Sequence, residues 1–580
     1  MRRASWLALA SLGLGLAACT DYIGYVEKPE TPVDDPGTAD PGAGGGNAGG
    51  GGATPMLANP GAARNLCAQG QNADLPGPRL LRRLTTVELD TTVRAVFGLD
   101  STAWAGPSLP PDPAAANGFI NNVDRLTVGD DHARDLQEMA YEVAGLVTSD
   151  ANLARLLPCA AVPSDACAGT YLDTVGARLY RRPLTAVERG RYLTLYNKVK
   201  AKGDFKSWVR WATIAMLQSP NLLYRSEVGS PAGAGKYQLS QYEIATALAY
   251  TYTGAPPAAD LLQLAAGNQL STADQIEAAA RRLVYDPSGV VRPAFRDIIL
   301  RFADQWLGLS PLANIKKDAT AFPDFSAPVQ TSVGEEVRRF IASVVIDDKG
   351  KPRDLLTANY TMLDSTLAQY YGFGTGGATF ARTPRPANWG LGLLAQGALL
   401  DILAGNLKTS PTKRGHLVRS RLLCGDVPPP PPVVSPLPDP TEAETTRQRY
   451  EVLHLQADSC KACHGLMDPI GFGLEHLDAS GRYRDKEGAF DIDDRGELRS
   501  TSAGTITFKG PSELAVALST LPETGDCMAA FMASNAFGMD HHDSACMAAT
   551  ARNDLRSGTL GLVDFYVRMA RSEHFRSRTP

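Results

Sequence analysis

Five consecutive residues, Cys460-Lys461-Ala462-Cys463-His464, set two thiols about one helical turn apart and follow them directly with an imidazole. Thiols at that spacing can add across the two vinyl groups of one porphyrin, and the adjacent histidine then lies under the iron. The pentad therefore reads as an attachment site for covalent haem c. Cys460 and Cys463 hold the cofactor and His464 is the proximal iron ligand. A structural zinc site would need two more ligands at short spacing, and no second cysteine pair follows. A thioredoxin-like dithiol would need a βαβ setting, whereas the residues before Cys460 have a helical pattern. Downstream, Met467-Asp468-Pro469-Ile470-Gly471-Phe472 offers a carbonyl near Pro469 as acceptor for the second ring nitrogen of His464. Arg482 and Arg484 are candidates to pair with propionates.

The distal ligand is left open by the residues alone. His454 is one candidate, and Met539, His541 and His542 form a second, soft and imidazole-rich group; an open position is the third alternative. Six more cysteines, Cys67, Cys159, Cys167, Cys424, Cys527 and Cys546, suit three disulfides outside the cytoplasm. Proximity along the chain favours Cys159–Cys167 and Cys527–Cys546, which leaves Cys67–Cys424. Asp491-x-Asp493-x-x-Gly496 imitates the start of a calcium loop, yet Arg495 and Ser502 stand where acidic ligands are needed. Signatures of serine hydrolases, zinc proteases and phosphate loops are missing.

The start of the chain gives an address. Arg2 and Arg3 precede an apolar run from Trp6 to Ala18, too short to span a bilayer, which ends in Leu16-Ala17-Ala18-Cys19. That ending resembles a bacterial lipobox, so residues 1–18 are expected to be a signal peptide and Cys19 a lipidation site. The expected location is the cell envelope, lipid-anchored to a bacterial membrane at the periplasm or cell surface. Residues 19–62, rich in Gly and Pro, read as a flexible tether. With 57 Lys and Arg against 62 Asp and Glu in 580 residues, the net charge of −5 argues against nucleic acid as partner.

The elements that must position the pentad are mostly helices. Thr85-Thr86-Val87-Glu88, Thr185-Ala186-Val187-Glu188 and Ser240-Gln241-Tyr242-Glu243 are capping boxes, and Gly98 and Gly254 stop two of those helices. Periodicity predicts further helices at 274–285, 292–307, 334–347, 353–358, 362–371, 442–457, 512–520, 527–537 and 559–571. Short β-rich pieces between glycines from Arg482 to Phe508 predict a hairpin or two. The fold class is mainly α, a multi-domain helical protein with a small β-hairpin element near the C-terminus. The expected folded segments are 63–150, 151–235, 236–385, a haem domain at 386–500 and a helical segment at 501–580, with Pro428–Pro440 as an extended connector.

Taken together, Arg414-Gly415, the proline run, the C-x-x-C-H pentad, Met467 through Glu475 and Asp478-Ala479-Ser480-Gly481-Arg482-Tyr483-Arg484 resemble the planctomycete-type cytochrome-like proteins, also common in myxobacteria. Arg83-Leu84-Thr85 to Arg94, Gly118 to Asn122, Tyr180 to Thr185, Ser219 to Arg225, Asn359-Tyr360 and Ser572 to Arg576 are similar to segments of that family in its order. His454 also sits where the family commonly has histidine. The resemblance implies serial domains of unknown function and a c-type haem in an exported protein. Phe537-Gly538-Met539 departs from the family's leucine, glycine and arginine, so no role of that arginine carries over. The expected function is electron transfer with a redox partner protein; a peroxidase-like haem enzyme and a surface binding or scaffold protein are the alternatives.

Overall fold

The computed structural model describes residues 74–201, 203–427, 444–456 and 458–580. The leader, Cys19, the 19–62 tether, Cys67 and the Pro428–Pro440 connector lie outside the described residues. The fold is mainly α; among the described residues, short two-stranded ladders and one small four-stranded sheet lie between the helices. Among the described residues no helix is long and apolar enough to cross a membrane.

The three capping boxes form as the sequence dictates. Thr85, Thr185 and Ser240 each accept from the third helical N–H, and Glu88, Glu188 and Glu243 reach back to the cap. Gly98 and Gly254 end the helices Thr86–Phe97 and Gln241–Thr253 at φ of 64° and 62°, a backbone region that disfavours a Cβ. Two further boxes, Thr272 with Gln275 and Thr445 with Gln448, use glutamine instead.

Some boundaries differ from expectation. The segment expected as a helix over 362–371 begins as a strand, Tyr360–Leu363, paired with Ala381–Pro384; the helix is Ser365–Tyr371, started by the Asp364 cap. The helix expected from 334 begins at Ala327, because Pro328 occupies its first turn, where no N–H is missed. Asp130–Val147, Phe205–Leu217, Pro411–Leu417 and Asp458–Phe472 are helices that apolar periodicity did not single out. The expected β-rich stretch contains the antiparallel hairpin Arg495–Thr501 with Gly504–Lys509.

Buried apolar side chains gather into two main cores. One joins the segments around Leu89, Val143, Trp208 and Leu217; the other runs from Ile244 through Phe302, Val337 and Ile470 to Phe565. The C-terminal strand Ser577–Thr579 pairs with Gly77–Pro78 and Tyr237–Gln238, so the last described residues are stitched to the first.

Cys159–Cys167 forms as expected. The other two pairings expected from proximity are corrected: Cys424 is bonded to Cys527, with Cα atoms 5.3 Å apart, and Cys546 is itself disulfide-bonded. The reason is tertiary. The helix Pro522–Phe537 packs on the Val418–Leu422 turn, which brings Cys527 to Cys424 and within 3.5 Å of the Arg421 carbonyl.

Candidate functional site

The pentad lies in the helix Asp458–Phe472. At helical spacing Cys460, Cys463 and His464 share one face. Both cysteines are part-exposed thiols rather than halves of a disulfide, and the His464 side chain is 24% exposed. One turn further along the same stripe Met467 and Asp468 are buried, as is Ile470.

Glycines let this helix approach its neighbour. Pro411–Leu417 crosses it so closely that a Cβ on Gly415 would overlap the Met467 carbonyl, and one on Gly471 the Pro411 carbonyl. Arg414, 1% exposed, locks the crossing by donating to the carbonyls of Leu474 (2.7 Å), Leu477 (2.8 Å) and Asp478 (2.9 Å), which would otherwise be buried unsatisfied after the helix ends. The Arg-Gly and Met-Asp-Pro-Ile-Gly strings are thus two halves of one contact.

That contact delivers Asp468. Its carboxylate is fully buried and accepts from Thr412 Oγ1 at 2.6 Å, from His454 Nδ1 at 2.8 Å and from His464 Nδ1 at 3.2 Å. Burial pushes the carboxyl up; hydrogen bonds from His454 and His464 outweigh it and hold it below the usual carboxylate range. An ionised carboxylate only accepts, so each imidazole carries its proton on Nδ1 and keeps Nε2 as the basic nitrogen. The acceptor expected near Pro469 is therefore replaced by the carboxylate one residue earlier.

The distal candidates separate on geometry. The His454 and His464 rings lie 3.7 Å apart at 34° and bind the same carboxylate. In this structure His454 therefore stands beside His464 on the shared carboxylate. Met539, His541 and His542 belong to another neighbourhood: His541 stacks on Phe531 at 4.6 Å, and the Met539 carbonyl accepts from Ser534 at 2.5 Å. Arg482 pairs with Asp324 (3.3 Å), and Arg484 with Glu475 (3.0 Å), so both guanidiniums are engaged by protein carboxylates. Thr412 could not be found from sequence, since only the helix crossing brings it to Asp468. Asp468 carries a legible signal, the four-residue spacing from His464.

The fold and site define a mainly α multi-domain protein that displays a C-x-x-C-H pentad on a glycine-docked helix. Four family models match it in series: PSD3, protein of unknown function (DUF1587), over 82–149; PSD5 (DUF1595) over 167–227; PSD4 (DUF1592) over 239–373; and PSCyt3 (DUF1588) over 391–487, a range that includes the pentad. The chain is thus built from serial domains of unknown function. No curated protein and no solved structure matches it.

Proposed function

We propose that this chain is an exported, lipid-anchored carrier of a covalent c-type haem, held by Cys460 and Cys463 with His464 as proximal ligand, and that it transfers electrons to or from a redox partner protein. The observation that carries this reading is the orientation of His464. Two thiols share its exposed face, while the buried Asp468 fixes its Nδ1 and leaves Nε2 for a metal. The donor set fits the cofactor: two thiols at the required helical spacing and one imidazole in the correct tautomer. Bound haem would supply one-electron chemistry. The protein's part is to hold the ring, with a negative partner on Nδ1 that would make Nε2 a stronger donor to a metal. Thr412 and His454 in turn fix the carboxylate, so the imidazole does not rotate.

The test is a pyridine haemochrome assay on full-length protein made with a cytochrome maturation system. Covalent haem that disappears in Cys460→Ala and Cys463→Ala supports the reading; absence of haem in the wild type overturns it. Inertness to carbon monoxide and peroxide would favour electron transfer over a peroxidase-like enzyme. A second reading rests on His454, His464 and Asp468, whose ligand atoms all lie within 4.8 Å of one another and form a two-histidine, one-carboxylate set for a divalent ion. It requires the Nδ1 protons to be displaced, and predicts stoichiometric metal without haem.

A further inference from the structure

Far along the chain from the pentad, the protein gathers an excess of buried positive charge. The strand Leu80–Arg83 pairs antiparallel with Tyr224–Glu227 so that Arg82 lies directly opposite Arg225. Two like charges facing across a ladder repel, and here both are buried. Glu227 partly compensates, receiving Arg82 at 3.3 Å, Arg225 at 3.2 Å and Arg578 at 2.5 Å. Arg225 is also 3.4 Å from Glu88, whose other oxygen is committed to the Thr85 cap. Arg181, buried beside Tyr250, spends its donors on the carbonyls of Leu222, Asn221 and Tyr224 and has no carboxylate. Arg301 adds a further guanidinium with no ion pair or hydrogen bond among the described residues, and its Nη2 would lie 2.9 Å from a Cβ on Gly254. Four buried guanidiniums and the part-exposed Arg301 thus gather around two carboxylates.

A cavity of about 80 Å³ opens on this cluster. Arg82, Arg225 and Arg301 line it with Glu88, beside the polar side chains of Asn121 and Gln305, and Ile120, Ile298 and Phe302 form an apolar wall. The Arg225 side chain is 3% exposed, and its Nε has no acceptor. Its Nη1 and Nη2 each give one N–H to Glu88 and Glu227, which leaves a second N–H on each for an acceptor in the cavity that Arg225 lines. One water needs roughly 10–15 Å³ of such space, so the cavity admits several waters or one small molecule, and no porphyrin. The lining comes from three matched domains and the C-terminal segment, so the site exists only in the assembled chain.

We propose that this cavity is a binding site for a small organic anion, its carboxylate or phosphate head taken by Arg225 and Arg301 and its short apolar body lying against Ile298 and Phe302. Guanidinium forks suit either head, since each presents two or more acceptor oxygens in a plane or a tetrahedron. The site is independent of haem and of the reading given above.

Isothermal titration of the full-length protein with inorganic phosphate and, separately, with butyrate tests it and distinguishes the two head groups. The expected result is saturable one-to-one binding of at least one probe, weakened about tenfold or more in Arg301→Gln. Arg301→Lys should fall between the two, because it keeps the charge and loses the fork. Arg301 has no partner to lose, so unliganded Arg301→Gln is expected to melt close to the wild type. If it does not fold, the lysine variant carries the comparison. No saturable binding of either probe at millimolar concentration overturns the proposal, as does equal affinity in Arg301→Gln and Arg301→Lys.

Discussion

His464 and Asp468, one helical turn apart, are joined through the imidazole Nδ1 at 3.2 Å, with the carboxylate wholly enclosed and the imidazole part-exposed. The pair turns a surface histidine into an oriented ligand. Asp468→Asn keeps the shape and removes the charge. In haem-loaded protein we expect the His464 bond to weaken by about 10–100-fold and the reduction potential to rise. Imidazole competition and a potentiometric titration measure the two effects. Unchanged values would show that the carboxylate does not tune the ligand.

The crossing of Pro411–Leu417 with the pentad helix leaves no room at Gly415. Gly415→Ala should cost about 1–3 kcal/mol by overpacking. Gly190, in the exposed helix Ala186–Lys200, has open space around its Cβ position, so Gly190→Ala should instead stabilise by about 0.5–1 kcal/mol. Urea unfolding of the two variants side by side checks the contrast in sign.

Cys424–Cys527 closes a sequence separation of 103 residues between the pentad region and the C-terminal helices. Its removal in Cys424→Ser should lower stability by about 2–4 kcal/mol. Non-reducing peptide mapping should recover the peptide of Cys424 joined to that of Cys527; a Cys527–Cys546 peptide would contradict the structure.

His574 is buried against Phe537 beside Arg578, Arg82 and Arg225. Burial, and then the charge of Arg578, hold its pKa well below the ordinary 6.5. The unfolded chain therefore binds a proton that the folded chain refuses. Stability from this group is complete above pH 6.5 and falls as the pH drops below it, with a limiting slope of about 1.4 kcal/mol per pH unit. Thermal melts of His574→Gln between pH 7 and 5 should show a shallower decline than the wild type, though from a lower starting point.

Legibility followed how local each cause was. Capping boxes at Thr85, Thr185 and Ser240 depend on residues three apart, and they form where the sequence places them. The helix Asp458–Phe472 was obscured because Gly465, Pro469 and Gly471 interrupt its propensity; Gly471 is where Pro411–Leu417 passes too closely for a Cβ. Tyr360–Leu363 carries apolar residues that suit either a helix or a strand, and its pairing with Ala381–Pro384 decided between them.

The identity and spacing of Cys460, Cys463 and His464 were legible in the chain, and the helix Asp458–Phe472 turns that spacing into a shared face. The sequence by itself also determined a mainly α chain of serial segments. Packing of distant segments sets which acceptor orients His464, which cysteine meets Cys424, and that Arg82, Arg225 and Arg301 line one cavity. Those relationships join residues far apart in the chain, and they depend on how closely two backbones pass, which a glycine permits but does not announce.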